Sequence, residues 1–247
     1  MCAGGQTACR TATTDRWSPV APPTQVPSLV DHNGHFLQEW TPETCINPRE
    51  VEIELRAQIE KAYAADLHPT HLDSHQLRLQ LGGEDLFEVY LRLGWEYHLP
   101  LLVARGWCSR YPYLQSSLTR SDVVLDRIVT INAKVTAEQW PAFYARALEK
   151  LPPGVTEFLI HPGYDNEELR DLFKDRTEWG AAWRQRDFDF FTSDEFRKLL
   201  IKYDIKLITW REIAMRLSDR PRVLIMLRAV WRWMRWGSHF PFTNLRS

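Results

Sequence analysis

Cysteine is scarce in this chain: four residues in 247, at positions 2, 9, 45 and 108, and no pair has CxxC spacing. That sets aside a zinc ribbon and a disulfide framework and fits a reducing compartment, so a cytoplasmic location is expected. Long apolar runs are also missing. No stretch reaches the roughly 18 residues that a transmembrane helix needs. Met1 to Arg16 lacks the apolar core of a secretory signal. Charge of one sign is missing too: 31 basic residues stand against 32 acidic ones, for a formal net charge of −1. No global field favours nucleic acid, and no nucleic-acid partner is expected. No internal repeat is visible.

What is present is the balance of a soluble globular protein, 44% hydrophobic and 26% charged, with 29.1 kDa available for a sizeable core. Residues 1–46 are rich in Pro, Thr and Gly and read as irregular. Asn47-Pro-Arg-Glu50 reads as a helix start, with Asn as cap, Pro at the first position and Glu three residues on. Val51, Leu55, Ile59 and Ala62 continue it as an apolar stripe. Strands are expected at 69–73, 101–104, 128–131, 157–160 and 205–208. Helices are expected over 84–97, from Thr136 to Lys150, from Asp165, over 193–203 and from Thr209. Five β-then-α units in sequence predict an α/β protein with parallel strands and outer helices, a (β/α) barrel domain over residues 47–217.

The most informative segment is Pro69-Thr-His-Leu-Asp-Ser-His-Gln, in which His71, Asp73 and His75 occupy alternate positions. On a strand, alternate side chains share one face, so two imidazoles and a carboxylate converge. Such groups ligate divalent metals and serve as general acids and bases. A polar strand edge or a buried hydrogen-bonded network accounts for the same spacing. In βα barrels, functional residues sit at the C-terminal ends of strands. His75 follows the first strand, Arg105 the second, His161 the fourth, and Trp210 and Arg211 the fifth. His161 reads either as a site residue or as a turn residue before Pro-Gly. Arg105 reads as a substrate-binding rim residue or as a surface arginine.

Residues 218–247 form a third region. From Arg220 to Gly237 there are five Arg and no acid, with Trp231, Trp233 and Trp236 near the end. A terminal helix that packs Leu224, Leu227, Val230 and Met234 onto the barrel is favoured over a basic helix lying on an anionic membrane surface.

Four segments carry a resemblance. The stretch from Thr70 to His75 resembles the THLDSH motif of the YdjC-type carbohydrate deacetylases. Pro27-Ser-Leu-Val-Asp-His-Asn-Gly-His-Phe is similar to their PSLVDxxGxF segment, Glu54-Leu-Arg-Ala-Gln-Ile-Glu to their ELRAQIE helix, and Phe158-Leu-Ile-His-Pro-Gly-Tyr to their HPG strand end. All four occur in the family order. The resemblance implies metal-dependent removal of N-acetyl groups from sugars, with Zn or Mg as the expected cofactor and an N-acetylated sugar as partner. It implies His75 as a metal ligand, His161 as the acid that protonates the leaving amine, and Asp73 as a supporting carboxylate. The family's other two ligands come from an opening Asp-Asp strand and from a His in a GxHLTLTSEW-like segment. Thr11-Ala-Thr-Thr-Asp-Arg-Trp17 is similar to the end of that segment, the His position falls at Cys9 or Arg10, and no His precedes His32. The family's base is one Asp of the pair, and Asp15 sits in the wrong segment for it. The expectation is therefore a barrel missing its first strands, weak or absent metal binding, and an impaired deacetylase. The alternatives are a non-catalytic carbohydrate-binding or interaction protein on this scaffold, or a truncated gene product. An open sheet edge would invite homodimer formation.

Overall fold

A computed structural model describes residues 17–37, 44–119, 122–173 and 178–218. Cys9, Arg10, Asp15 and the basic tryptophan-rich segment from 219 onward lie outside the described residues, as do the roles expected of them.

Helix α1 runs Pro48–Ala64 and starts as its sequence dictates: the Asn47 side chain accepts from the Arg49 N–H, and Pro48 fills the first position, where its missing N–H costs nothing. Val51 and Ile59 are buried. So is Glu54, whose carboxylate accepts from Val20 N at 3.0 Å and Ala21 N at 2.9 Å. The described residues before α1 hold two 3-10 turns and a single antiparallel bridge from Val30 to Phe36, and Ala21, Val26 and Leu29 are buried in the same core as α1.

A short helix α2 (Arg78–Leu81) leads into α3 (Glu84–Glu96), which buries Leu86, Phe87, Val89, Tyr90, Leu91 and Leu93. Gly94 lets α3 approach the chain after it: a Cβ there would stand 2.6 Å from Leu101 Cδ2 and 3.0 Å from the Leu99 carbonyl. Helices α4 (Arg105–Cys108) and α5 (Pro112–Ser117) complete this first half. The second half holds β1 (Arg127–Thr130), α6 (Trp140–Glu149), β2 (Thr156–Leu159), α7 (Glu167–Leu172), α8 (Ala181–Thr192), α9 (Asp194–Lys202) and α10 (Trp210–Ser218). Ile131, Trp140, Tyr144, Leu148, Trp183 and Phe190 form a second core among α6, α8 and α9, and Phe158 of β2 packs against it.

One parallel ladder joins the two halves. Leu72 bridges Leu101, Ala104 bridges Leu125, and β1 pairs with β2 from Arg127↔Thr156 to Thr130↔Leu159. The four segments thus lie side by side in sequence order, the arrangement that right-handed βα connections produce. This corrects the expected strand list. The 69–73 and 101–104 segments pair through single bridges, and 205–208 carries no strand pairing among the described residues, although its apolar alternation looks like a strand. The described residues show a mixed α/β fold with a short parallel sheet, not a closed barrel. Leu207 and Ile208 of that fifth segment are exposed.

Candidate active site

The first segment does not stay extended long enough to align His71, Asp73 and His75 on one face. It leaves strand geometry after Ser74: His75 to Leu77 form a 3-10 turn, and Gln76 and Leu77 take left-handed φ values of 57° and 58°. The expectation of three groups on one strand face is therefore corrected. Buried Ser74 and Gln80 cause the turn-off. The Ser74 hydroxyl bonds to Gln80 Oε1 and accepts from Leu79 N at 3.1 Å. Gln80 Nε2 donates to the Leu102 carbonyl at 3.2 Å. The Tyr90 hydroxyl, also buried, donates to the Leu72 carbonyl and accepts from Leu102 N at 3.2 Å, reinforcing the direct bond from Leu102 N to the Leu72 carbonyl at 3.1 Å. The polar cluster is thus partly the buried network that its spacing allowed.

Each sequence-predicted residue has a distinct place. Asp73 Oδ1 accepts from Ser74 N at 2.6 Å and from Gln80 Nε2 at 3.3 Å. The His71 ring stacks on Trp210 at 4.6 Å and 5°, which sets the start of α10 against the first segment. Burial lowers the proton affinity of His71, and Asp73 partly opposes it. Arg105 stands at the end of the second segment with its guanidinium largely exposed and engaged by Asp126, Nη2 to Oδ1 at 3.1 Å. Asp126 in turn accepts from Val155 N at 2.9 Å. That bond first, and Arg105 second, hold its carboxyl below the usual range. Arg211 is exposed on α10.

His161 follows β2. Its ring meets Trp179 edge-on at 4.6 Å, and its Nδ1 is buried with no hydrogen-bond partner among the described residues. Its backbone N–H donates to Asp187 Oδ2 at 2.9 Å. Burial lowers its proton affinity first. Arg184 adds to that, Asp187 opposes it, and the charge of His75 lowers it further. His75 and His161 are therefore electrostatic neighbours although 86 positions separate them in the sequence.

Two groups that the sequence reading missed belong to the same region. Phe158 faces the second core, so alternation puts Glu157 on the opposite, inner face of β2. Burial pushes the Glu157 carboxyl up to about 7, and the charge of Asp73 adds to the rise. An acid inside an apolar strand was the signal available for it. The other is Asp187, fully buried on α8, which accepts from Trp140 Nε1 at 3.0 Å, Tyr144 Oη at 2.8 Å and His161 N. No spacing in the sequence marks it.

Among the described residues, no group of three His, Cys, Asp or Glu side chains is arranged to hold one metal ion. Of the metal ligands that the family resemblance implies, His75 is the one that falls among the described residues, and no chemical step is routed through a metal. No described helix is long and apolar enough to cross a membrane.

The His161 imidazole stands at a parallel strand end within the field of His75, with the Glu157 carboxyl on the inner face of the same strand. The chain belongs to the YdjC-like protein family, whose model matches residues 10–202. A carbohydrate deacetylase of Brevibacillus brevis is 27% identical over 201 residues, covering 76% of this chain and 71% of that protein. A carbohydrate deacetylase of Enterococcus faecalis is 34% identical over 105 residues, covering 42% of this chain and 40% of that protein. In fold, the chain is similar to a crystal structure of a proposed cellobiose-phosphate cleavage protein from Enterococcus faecalis V583. The TM-score is 0.65 at 24% identity, over 79% of this chain and 72% of that one.

Proposed function

We propose that this chain is a carbohydrate deacetylase scaffold that takes an N-acetylated sugar beside His161. The observation that carries the reading is the state of His161 itself. It sits at a strand end, half-buried, with an Nδ1 that has no partner among the described residues and a depressed proton affinity, within the electrostatic field of His75. Amide hydrolysis needs a proton delivered to the nitrogen as the C–N bond breaks, since an amide anion is a poor leaving group. Burial makes the imidazolium of His161 a stronger acid than free histidine, which favours that delivery. Asp73 supports the His71–His75 segment through its bonds to Ser74 and Gln80 and places a negative charge beside Glu157. His75 is the ligand that this chain would offer to a divalent ion, and Arg105 is a rim contact for the sugar once it leaves Asp126. Turnover is expected to be slow.

A second reading, a sugar-binding protein without catalysis, is favoured by one observation. Asp73 Oδ1 is already engaged by two donors, Ser74 N and Gln80 Nε2. One experiment separates the two. Binding of N-acetylglucosamine oligomers is measured by calorimetry, and acetate release by an enzymatic assay, with Zn²⁺ or Mg²⁺ added, for the original chain and for His161→Ala. Slow release that falls by roughly 10²- to 10⁴-fold in the variant supports catalysis with His161 as the acid. Binding with no release by either protein supports the second reading. Absence of both overturns the two together.

A further inference from the structure

The loop that carries His161 is anchored at several points to α8. Gly163 N donates to the Arg184 carbonyl at 3.2 Å, and Asp165 N donates to Gln185 Oε1 at 2.8 Å. The deepest anchor is Asp187, fully buried, whose Oδ2 accepts from the His161 backbone N–H while Oδ1 accepts from Trp140 Nε1 and Tyr144 Oη. A buried carboxylate is costly unless it is well supplied with donors, and three short bonds supply it here. Two of the donors are large, fully buried aromatic side chains from α6, so the carboxylate is fixed relative to the second core. The third is the backbone of His161, two residues past the end of β2.

From this geometry we infer that Asp187 is the positioning residue for His161: it clamps the backbone at His161 to the α6–α8 core and so fixes where the imidazole is presented. The inference rests on the reading of His161 as the proton donor, but its structural half stands without it. Hydrogen bonding to the backbone rather than to the ring sets the ring's position and leaves both ring nitrogens to other partners. Trp179 then limits the ring's rotation by edge contact at 4.6 Å. The groups whose charge reaches the imidazole are Arg184, Asp187 and His75.

The test compares Asp187→Asn with Tyr144→Phe in the full chain. The asparagine keeps the size of the side chain but has one acceptor oxygen for three donors. The phenylalanine removes one aromatic donor and leaves the His161 bond. NMR reads the His161 amide exchange rate and the contacts between the His161 and Trp179 rings, and neither reading needs activity. In Asp187→Asn the amide is expected to exchange about 10-fold faster or more and the ring contacts to weaken, whereas Tyr144→Phe lowers the melting temperature and leaves both as they were. If Asp187→Asn does not fold, Tyr144→Phe combined with Trp140→Phe still reports: the clamp predicts that the His161 amide stays protected while Asp187 remains. In parallel, where acetate release is measurable, Asp187→Asn lowers kcat by roughly 10- to 100-fold with little change in KM, the loss typical of residues that orient a reacting group. An unchanged His161 amide and ring in Asp187→Asn, or a lost one in Tyr144→Phe, overturns the clamp. An intact clamp effect in a chain that neither binds nor hydrolyses sugar overturns the catalytic reading instead.

Discussion

Replacing Glu157 by glutamine tests whether the inner face of β2 is as dry as its burial implies. The carboxyl is pushed up to about 7 from a reference of 4.5, by burial first and by the charge of Asp73 second. Between those values the folded chain holds a proton that the unfolded chain has released. Stability from this group is therefore fully present below about 4.5 and is lost as the pH climbs through about 7. A gap of roughly 2.5 pH units corresponds to ~3.4 kcal/mol at 1.36 kcal/mol each. The side chain is half-buried, and solvent screening reduces the effect to about 1–2 kcal/mol. Glutamine keeps the size and never ionises. Urea unfolding followed by tryptophan fluorescence should therefore find the two proteins equal at pH 4 and the Glu157→Gln protein about 1–2 kcal/mol more stable at pH 8.5. The same difference at both pH values would refute the argument, because it would show an effect of shape or hydrogen bonding and not of charge.

Other outcomes follow from single contacts. Tyr90→Phe strips a buried hydroxyl that adds to the Leu102 N–Leu72 carbonyl bond, and should cost about 0.5–1.5 kcal/mol by the same unfolding assay, because those two backbone groups keep each other as partners. Gly94→Ala would place a methyl 2.6 Å from Leu101 Cδ2 and near the Leu99 carbonyl, both in packed surroundings. Overpacking of about 1–3 kcal/mol should outweigh the roughly 1 kcal/mol that alanine gains in a helix, so the melting temperature falls. Trp210→Ala exposes His71, whose proton affinity burial lowers; an NMR titration should show His71 moving up toward the ordinary histidine value, and no movement would mean that the stack does not bury it. The alkaline limb of any acetate release should track the titration of His161, because its imidazolium is the donor, and should vanish in His161→Ala.

Local chemistry made much of this protein legible before any coordinates. Asn47-Pro-Arg-Glu50 starts α1 because its cap, its proline and its acid all act within one turn. β1 and β2 read as strands because Val, Ile, Phe and Thr crowd short runs there, and the helix starting near Asp165 declared itself through Asn166 and its following acids. The resemblance carried by THLDSH and HPG pointed to the family to which the chain belongs. Tertiary structure decided the rest, because those outcomes depend on partners distant in the chain. The alternation of His71, Asp73 and His75 predicted one face, but buried Ser74 and Gln80 bend the segment away after Ser74. Ile205 to Ile208 has the composition of a strand, yet a strand needs a neighbour to bond with, and none pairs there among the described residues. Glu157 gains its elevated proton affinity from the burial that packing creates and from Asp73, which the fold brings near it. Asp187 becomes the anchor of His161 only when α8 folds across α6 and the end of β2, which bring together a carboxylate, two aromatic side-chain donors and a backbone N–H from three separate stretches of chain.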